Sequence, residues 1–266
     1  MSTRIRGRIK AILSLGGIDL RQMAATLMGW PRYLAQFARL YGQSARSAHR
    51  LPLGKPWPCL ADAGAGNPVA DHYFLQDLWV AQRVFANEPR RHVDVGSRLD
   101  GFIAHLAVFR QVEAFDIRPM TVEVPNVIFK RVDMQQPLDD SWASYCDSLS
   151  CLHALEHFGL GRYGDPLDYD GYLQGFRNLT LLLQPCGKLY LAVPFGPSRL
   201  EFNAHRVFDL GYLLELLRQD YRVDRFAFVD DRNCLHADAQ ITPDKAQANF
   251  GCWMGCAIFE ATKLPA

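Results

Sequence analysis

Three residues in the segment SLSCLHALEHFG (148–159) have the side-chain types and spacing that zinc chemistry needs. His153 and His157 stand four residues apart, and Glu156 lies between them. On one continuous helix the two imidazoles would share a face and bind zinc, while the carboxylate would act on a metal-bound water. A third ligand would have to come from a neighbouring helix.

The apolar run before His153 favours a different interpretation. Residues 145–152 have the pattern of a buried strand, so a helix would start near Ala154. His153 would then lie at the strand tip and His157 inside the helix, on a different surface and bonded to the backbone. The acids that follow stand in the Gly-rich loop 159–171 rather than on a helix. Zinc hydrolysis is therefore the weaker interpretation. A neutral His153 facing a cleft could instead deprotonate a hydroxyl.

Strand and helix patterns alternate around these residues. The predicted strands cover residues 91–96, 111–117, 126–134, 145–152 and 186–196. The predicted helices cover residues 71–85, 101–109, 172–183 and 209–219. Two further β-like runs, 221–231 and 255–263, have no helical pattern between them and predict an antiparallel hairpin at one sheet edge. The alternation predicts a doubly wound α/β sheet.

Acidic residues lie in or end the first three predicted strands. Asp94 comes just before Gly96, Asp116 follows that glycine by 20 residues, and Asp133 is at the third strand end. Such sheets bind ligands beyond the carboxyl ends of their strands. The Gly96–Asp116 spacing is typical of a carboxylate that binds a ribose, and Asp133 could accept a hydrogen bond from an adenine amine. Asp94 either contacts the cofactor or caps the loop.

At these positions the chain resembles class I S-adenosylmethionine-dependent methyltransferases, over roughly residues 71–263. DVGSRLDG (94–101) stands for the glycine-rich first motif, EAFDI (113–117) for the second and RVDM (131–134) for the adenine-side acid. LLLQPCGKLYLAVPFG (181–196) resembles the fifth-strand passage. More narrowly, HYFLQDLWVA, LEHFGLGRYGDP and FNAHRVF are similar to a methyltransferase-like family of unknown function. That family was first described from nematodes and is also found in bacteria.

The resemblance implies a Rossmann-like sheet of seven strands with a reversed edge strand, and S-adenosylmethionine as cofactor. The implied cofactor contacts are Asp94, Gly96, Ser97, Arg98, Asp116, Ile117, Asp133 and Met134. His153 is the candidate catalytic base, and His205, in a loop that should cover the substrate, competes for that role. The candidate substrate contacts are Arg162, Tyr163, Asp165, Asn203 and Arg206. Bacterial relatives resemble proteins encoded among surface-polysaccharide genes, which implies O-methylation of a sugar, glycan or glycolipid precursor.

The first loop departs from the family pattern. Only Gly96 and a displaced Gly101 remain, while Ser97, Arg98 and Asp100 fill the turn. Arg98 could pair with the cofactor carboxylate or fill the pocket. The alternative is therefore a catalytically silent protein of this fold that acts as a binding or scaffold subunit in polysaccharide assembly. A nicotinamide-dependent dehydrogenase fits less well, because G-x-G-x-x-G is absent.

Residues 1–70 are predicted to form a separate basic helical extension with a Pro/Gly-rich linker, ahead of a methyltransferase-like domain over 71–266. Up to Pro56 there are ten basic residues and one acidic residue, against 19 basic and 27 acidic in the rest. The basic, amphipathic pattern could lie on an anionic membrane surface or pack on the body. No nucleic-acid motif accompanies the charge, so we expect no nucleic-acid partner.

Cysteine usage and hydropathy bear on the compartment. The seven cysteines include no C-x-x-C pair, and Cys252 and Cys256 are expected to pack in the core. No apolar run approaches the roughly 18–20 residues that span a bilayer. We expect a cytoplasmic protein, with the inner face of the membrane as a peripheral docking option. The oligomeric state is left open.

Overall fold

The structure is a computed structural model that describes residues 20–44, 46, 58–60, 71–202 and 204–265. The chain divides into two compact units, Met1–Val69 and Ala70–Ala266. The described part of the first unit contains one long helix, α1 (Leu20–Ser44). A Cβ on Gly29 would lie 2.2 Å from the Leu60 carbonyl oxygen. The same oxygen accepts a hydrogen bond from Arg32 Nη2 at 3.3 Å. Residue 29 therefore has to be small for this close approach.

The second unit begins with helix α2 (His72–Asn87), whose N-terminus is capped by Asp71. The Asp71 carboxylate accepts from the Phe74 amide at 3.2 Å and satisfies one of the free N–H groups of the first turn. A π-helical turn (Leu99–Ile103) leads into the short helix α3 (Ala104–Ala107). The remaining helices are α4 (Gly171–Leu182), α5 (Leu210–Arg218) and α6 (Pro243–Gln247).

Most described strands of the second unit join one sheet. They are β1 (His92–Val95), β2 (Val112–Asp116), β3 (Val127–Arg131), β4 (Cys146–Leu152), β5 (Leu183–Phe195), β8 (Tyr221–Val229), β9 (Leu235–His236) and β10 (Gly255–Lys263). Strands β6 (Arg199–Glu201) and β7 (His205–Val207) form a separate two-stranded hairpin. The order in the main sheet is β3-β2-β1-β4-β5-β10-β8-β9.

Strands β1 to β5 are parallel, and β10 runs antiparallel to both of its neighbours, β5 and β8. The predicted doubly wound fold is confirmed, with the two-residue strand β9 in addition. The reversed strand lies one position inside the sheet rather than at its outer edge. This inner position agrees with the burial pattern, because Gly255–Ala261 is buried throughout whereas β8 carries exposed residues in its first half.

Apolar clusters cover both faces of the sheet. Ile258 packs in the cluster that contains Val80 of α2, and its neighbour Phe259 packs in the cluster that contains Phe176 of α4 and Leu213 of α5. Burial on both faces leaves the carboxyl ends of the parallel strands as the open edge. Among the helices that the structure describes, none combines the length and hydropathy of a membrane-spanning segment.

Candidate functional site

Three adjoining cavities lie at the carboxyl ends of β1 to β5. The strand-end cavity is lined by Gly96, Asp116 and Met134, among others. The glycine-loop cavity is lined by Ser97, Arg98 and Tyr73, among others. The histidine cavity is lined by His72, His205 and Trp253, among others. Two side chains, those of His153 and His157, line all three cavities.

His153 follows the last residue of β4 in a left-handed backbone conformation, with φ 52°. For a residue with a Cβ this conformation costs about 1 kcal/mol or more, and such strain concentrates at functional sites. The side chain is 6% exposed, and Nδ1 lies 2.7 Å from Glu156 Oε1. Nε2 is buried and has no hydrogen-bond partner among the described residues. Nε2 therefore keeps unused hydrogen-bonding capacity.

Glu156 connects the two histidines of the opening segment. Its side chain is 1% exposed, and its Oε1 lies 2.7 Å from His153 Nδ1 and 3.7 Å from His157 Nε2. The prediction that the histidines occupy different surfaces is wrong. No long helix follows β4; a 3-10 turn (Leu155–His157) curls back on the strand end instead. In the described part of the chain, no group of three or more His, Cys, Asp or Glu side chains is arranged to hold a metal ion.

The pKa values of His153 and Glu156 differ from their usual values. Burial by itself would lower the pKa of His153, but the neighbouring Cys256 and Glu156 outweigh it and raise that pKa well above 6.5. Burial by itself would raise the pKa of Glu156, but the neighbouring His153 outweighs it. The pKa of Glu156 is therefore lower than its usual value. Burial, with His153 nearby, lowers the pKa of His72 to about 4. His72 is thus neutral at pH 7, whereas the opposite shifts of His153 and Glu156 favour a protonated imidazole beside an ionised carboxylate.

Asp94, a predicted cofactor contact, caps the loop. Its carboxylate accepts from the Ser97 amide at 3.1 Å, from the Ser97 hydroxyl at 2.8 Å and from the Ser150 hydroxyl. Burial raises the pKa of Asp94 to about 7. The aspartate therefore shapes the turn from below and does not line the strand-end cavity.

Gly96 and Arg98 show how the altered loop is built. Gly96 has φ 76°, and a Cβ there would lie 2.6 Å from the Cβ of Ala154. The chain thus keeps a glycine where the loop passes closest to the turn after β4. The guanidinium of Arg98 forms two hydrogen bonds with Asp100, at 2.9 and 2.8 Å, near the surface. Arg98 lines the glycine-loop cavity without filling it.

Asp116 is at the predicted position, where β2 ends in the strand-end cavity, but it has a partner. Arg118 donates from Nε to Oδ1 at 3.0 Å and from Nη2 to Oδ2 at 2.6 Å, and its amide also donates to Oδ1 at 2.8 Å. The guanidinium stacks on Tyr163, 4.6 Å from the ring centroid. Arg118 and Tyr163 together form a wall beside the cavity.

The end of β3 adds an apolar side to the same cavity. Met134 is 4% exposed and lines the cavity with Ile117 and Asp133. The Asp133 carboxylate accepts from the Gln135 amide at 2.9 Å through Oδ1. These three predicted contacts and Asp116 therefore meet in one cavity that combines apolar walls with carboxylates.

Two predicted substrate contacts instead hold the loop after the 3-10 turn. Asp165 accepts from the amides of Gly159, Gly161 and Tyr163, at 3.1, 3.1 and 3.0 Å. Arg206 is 6% exposed and donates to the carbonyls of Glu156, Phe158 and Tyr169. The Arg206 guanidinium has no free face toward the three cavities, so its role is to fix the loop.

The remaining candidates lie around the histidine cavity. Arg162 is exposed there and donates to the Ala204 carbonyl at 3.0 Å. His205 begins β7, and its Nε2 is 3.2 Å from Glu201 Oε2. Cys256 is buried, as expected, and also lines this cavity. Asn203 lies outside the described residues.

Sequence reasoning missed Glu156, Arg118 and His72 as parts of the site. The i, i+3 spacing of His153 and Glu156 was visible, but its meaning changed with the turn that follows β4. Arg118 stands two residues after the strand-end acid, a position from which its side chain can fold back. His72 is the first residue of the HYFLQDLWVA motif, inside the predicted helix 71–85, and gave no signal of a role in the site.

Comparison with known proteins agrees with this architecture. A model of the family described as "Caenorhabditis protein of unknown function, DUF268" matches residues 118–223. This match confirms the narrow resemblance over that segment. Comparison with curated proteins finds no match.

The solved structures give the fold. The [4+2]-cyclase SpnF is 16% identical with a TM-score of 0.52, over 77% of this chain and 91% of that chain. The fold is that of class I methyltransferases. The Burkholderia thailandensis 1,6-didemethyltoxoflavin-N1-methyltransferase, bound to S-adenosylhomocysteine, is 19% identical over 72% of this chain and 80% of that one, with a TM-score of 0.48. The N-methyltransferase NodS from Bradyrhizobium japonicum WM9 is 13% identical over 74% of this chain and 90% of that chain, and its TM-score is also 0.48.

Proposed function

We propose that this protein is an S-adenosylmethionine-dependent methyltransferase that methylates a hydroxyl oxygen of a sugar, glycan or glycolipid precursor. The observation that carries the proposal is the position of His153. Its unpartnered Nε2 is buried where the strand-end, glycine-loop and histidine cavities adjoin, and its Nδ1 is held by a buried carboxylate. An oriented imidazole between the strand-end cavity and the histidine cavity is the arrangement expected of a general base.

The residues at the strand ends fit the cofactor. Gly96 leaves room where a Cβ would collide with Ala154, and Met134 and Ile117 offer apolar surface for an adenine. Asp116 would accept from a ribose hydroxyl through Oδ2, which keeps one lone pair beyond the bond from Arg118, whereas Oδ1 already accepts two hydrogen bonds from that residue. When bound, S-adenosylmethionine supplies a methyl group on a positively charged sulfur.

His153 and Glu156 would handle the proton. The Nε2 atom accepts the proton of the acceptor hydroxyl while the oxygen gains the methyl group. The Nδ1–H donates to Glu156 Oε1 throughout, so the carboxylate orients the ring and stabilises the imidazolium that forms. His153 acts in its neutral form, and because its pKa is raised, activity should increase as the pH rises above 6.5.

The histidine cavity supports a polar acceptor. His205, Arg162 and Asn233 contribute polar groups, and Trp253, which is 62% exposed, contributes an aromatic surface. Aromatic faces beside hydrogen-bonding groups suit sugar rings, which have apolar C–H faces and hydroxyl edges. The resemblance to a family whose bacterial members are similar to proteins encoded among surface-polysaccharide genes favours the same acceptor class.

A catalytically silent binding protein of the same fold is the second candidate. The Arg118–Asp116 pair and the Ser97–Arg98 replacements in the glycine loop favour it, because they occupy positions that cofactor binding would use. In that case the cavities would bind a glycan without methylating it.

Calorimetric titration with S-adenosylmethionine and S-adenosylhomocysteine separates the two candidates. Binding by the wild-type protein, weakened at least about tenfold in Asp116→Ala, is expected for the enzyme. No heat at high protein concentration, together with an unchanged Asp116→Ala variant, contradicts the methyltransferase proposal.

The base is tested by following S-adenosylhomocysteine release with polysaccharide precursors as acceptors. His153→Ala should lower kcat by about 10²–10⁴-fold, while affinity for S-adenosylhomocysteine changes little. His236→Ala, which removes a histidine that does not line the three cavities, is the matched control. A larger loss in His205→Ala than in His153→Ala would assign the base to His205 instead.

A further inference from the structure

Helix α1 of the first unit has an exposed apolar stripe. Met23, Leu27, Trp30, Leu34 and Phe37 follow one another at alternating spacings of four and three residues. At 3.6 residues per turn this spacing puts all five on one face. Their exposed fractions lie between 39% and 63%. The stripe is therefore a continuous apolar surface accessible to a partner.

Among the described residues of the first unit, Leu60 contacts α1 on the face opposite the stripe. Gly29 and Arg32 approach the backbone of Leu60 there. Arg32 and Arg39 lie about half a turn away from the apolar stripe. The helix is thus held on its polar side and presents its apolar side.

The positive charge of α1 and its flanking segment indicates which class of partner could bind the stripe. The helix contains three arginines and no acidic residue, within a segment up to Pro56 that has ten basic residues and one acidic residue. A second copy of this chain would bring two such segments together without an acidic counterpart. An anionic lipid surface supplies the opposite charge and also accepts the apolar stripe. The helix is about 10 Å across, somewhat more than the Debye length of about 8 Å at physiological salt, so the attraction from arginines on the far side is weakened at physiological salt and increases as salt is lowered.

We propose that α1 lies in the surface of an anionic bilayer, with Met23, Leu27, Trp30, Leu34 and Phe37 inserted among the lipids. Trp30 suits the boundary between headgroups and acyl chains, because an indole ring has both apolar and polar parts. This surface is separate from the proposed methyl transfer, since it needs none of the residues around His153.

Neighbouring residues of the helix provide a matched pair of variants. Leu27→Glu puts a charge into the stripe, whereas Met28→Glu makes the same change one residue away, at a side chain that is 74% exposed and off the stripe. Both variants introduce the same charge and a residue of good helix propensity. Only the first should prevent insertion.

The full-length protein is sedimented with vesicles of phosphatidylcholine alone or with 30% phosphatidylglycerol, a lipid ratio of about one in three chosen to mimic an anionic leaflet. We expect binding to the anionic vesicles that weakens with salt. Leu27→Glu should lower the partition coefficient at least about tenfold, and Met28→Glu about threefold or less.

Equal pelleting with both vesicle types, or equal losses in the two variants, overturns the proposal. Sedimentation velocity without lipid tests the competing possibility that a second copy of this chain binds the stripe. A wild-type dimer that becomes a monomer in Leu27→Glu, with no vesicle binding, would show that the stripe pairs with a second copy instead. Because no readout involves methyl transfer, failure here and failure of the proposed function are distinguishable.

Discussion

Replacing Glu156 with glutamine tests the His153–Glu156 pair most directly. The carboxylate is 1% exposed, and its Oε1 is 2.7 Å from His153 Nδ1. The amide oxygen of glutamine can still accept from Nδ1–H, but the charge is lost. A hydrogen bond to a charged group contributes about 1.5–3 kcal/mol. We therefore expect Glu156→Gln to lower the free energy of unfolding by about 1.5–3 kcal/mol at pH 6, with the fold retained.

The pH dependence of this loss identifies its cause. The pKa of His153 is raised in the folded state, so the pair's contribution is complete below the unfolded value of 6.5 and is lost as pH rises through the folded pKa. The pKa of Glu156 is lowered, so the same contribution is present above 4.5 and disappears as pH falls through its folded pKa. The loss in Glu156→Gln should thus be largest near pH 6 and smaller in alkaline solution.

Urea unfolding at pH 6 and at alkaline pH, followed by near-UV circular dichroism, measures this difference. Glu215→Gln, which removes an exposed carboxylate paired with Arg218, is the matched control and should cost less than about 1 kcal/mol. An NMR titration of the His153 ring should show that its pKa falls in Glu156→Gln. A pH-independent loss, or an unchanged His153 pKa, would refute the charged pair.

Three further changes test the rest of the site. Gly96→Ala should lower the free energy of unfolding by about 2–3 kcal/mol, because φ is positive and Ala154 is in the way. Gly164→Ala, with φ 84° and no atom near its Cβ, should cost about 1–2 kcal/mol in the same urea assay. Arg206→Ala, which leaves three carbonyls unpaired, should cost about 2–5 kcal/mol by thermal unfolding, against less than about 1 for the exposed Arg162→Ala. Asp116→Asn should raise the Kd for S-adenosylhomocysteine about tenfold by calorimetry, and an unchanged Kd would remove Asp116 from the cofactor site.

The fold was predictable because its signals are local. Apolar runs and helical spacing located β1 to β5 and α2, and the alternation of the two required a doubly wound sheet. Once the strands were located, Asp116 and Asp133 had to meet, since parallel strand ends share one edge. The inner position of β10 was harder to predict from the sequence, because the order of strands in a sheet depends on which surfaces are buried between the layers.

Side-chain pairing was less predictable than backbone placement. Arg206 and Asp165 have the polar character of substrate ligands, yet the folded loop uses their bonding capacity for its own backbone. Arg118 pairs with Asp116 through a rotamer that no spacing rule specifies. Such contacts depend on which backbone groups would otherwise be left without partners.

The segment that contains His153 and His157 shows what the sequence determines and what the tertiary structure determines. The sequence by itself determined that a strand precedes His153, and this argued against a zinc-binding helix. Only the tertiary structure decided that His153 takes a left-handed conformation and that a 3-10 turn brings both histidines to Glu156. The physical reason is that a strained backbone and a buried charged pair are stabilised by the surrounding fold, including the bond from the His153 amide to the Ala192 carbonyl and the three bonds from Arg206.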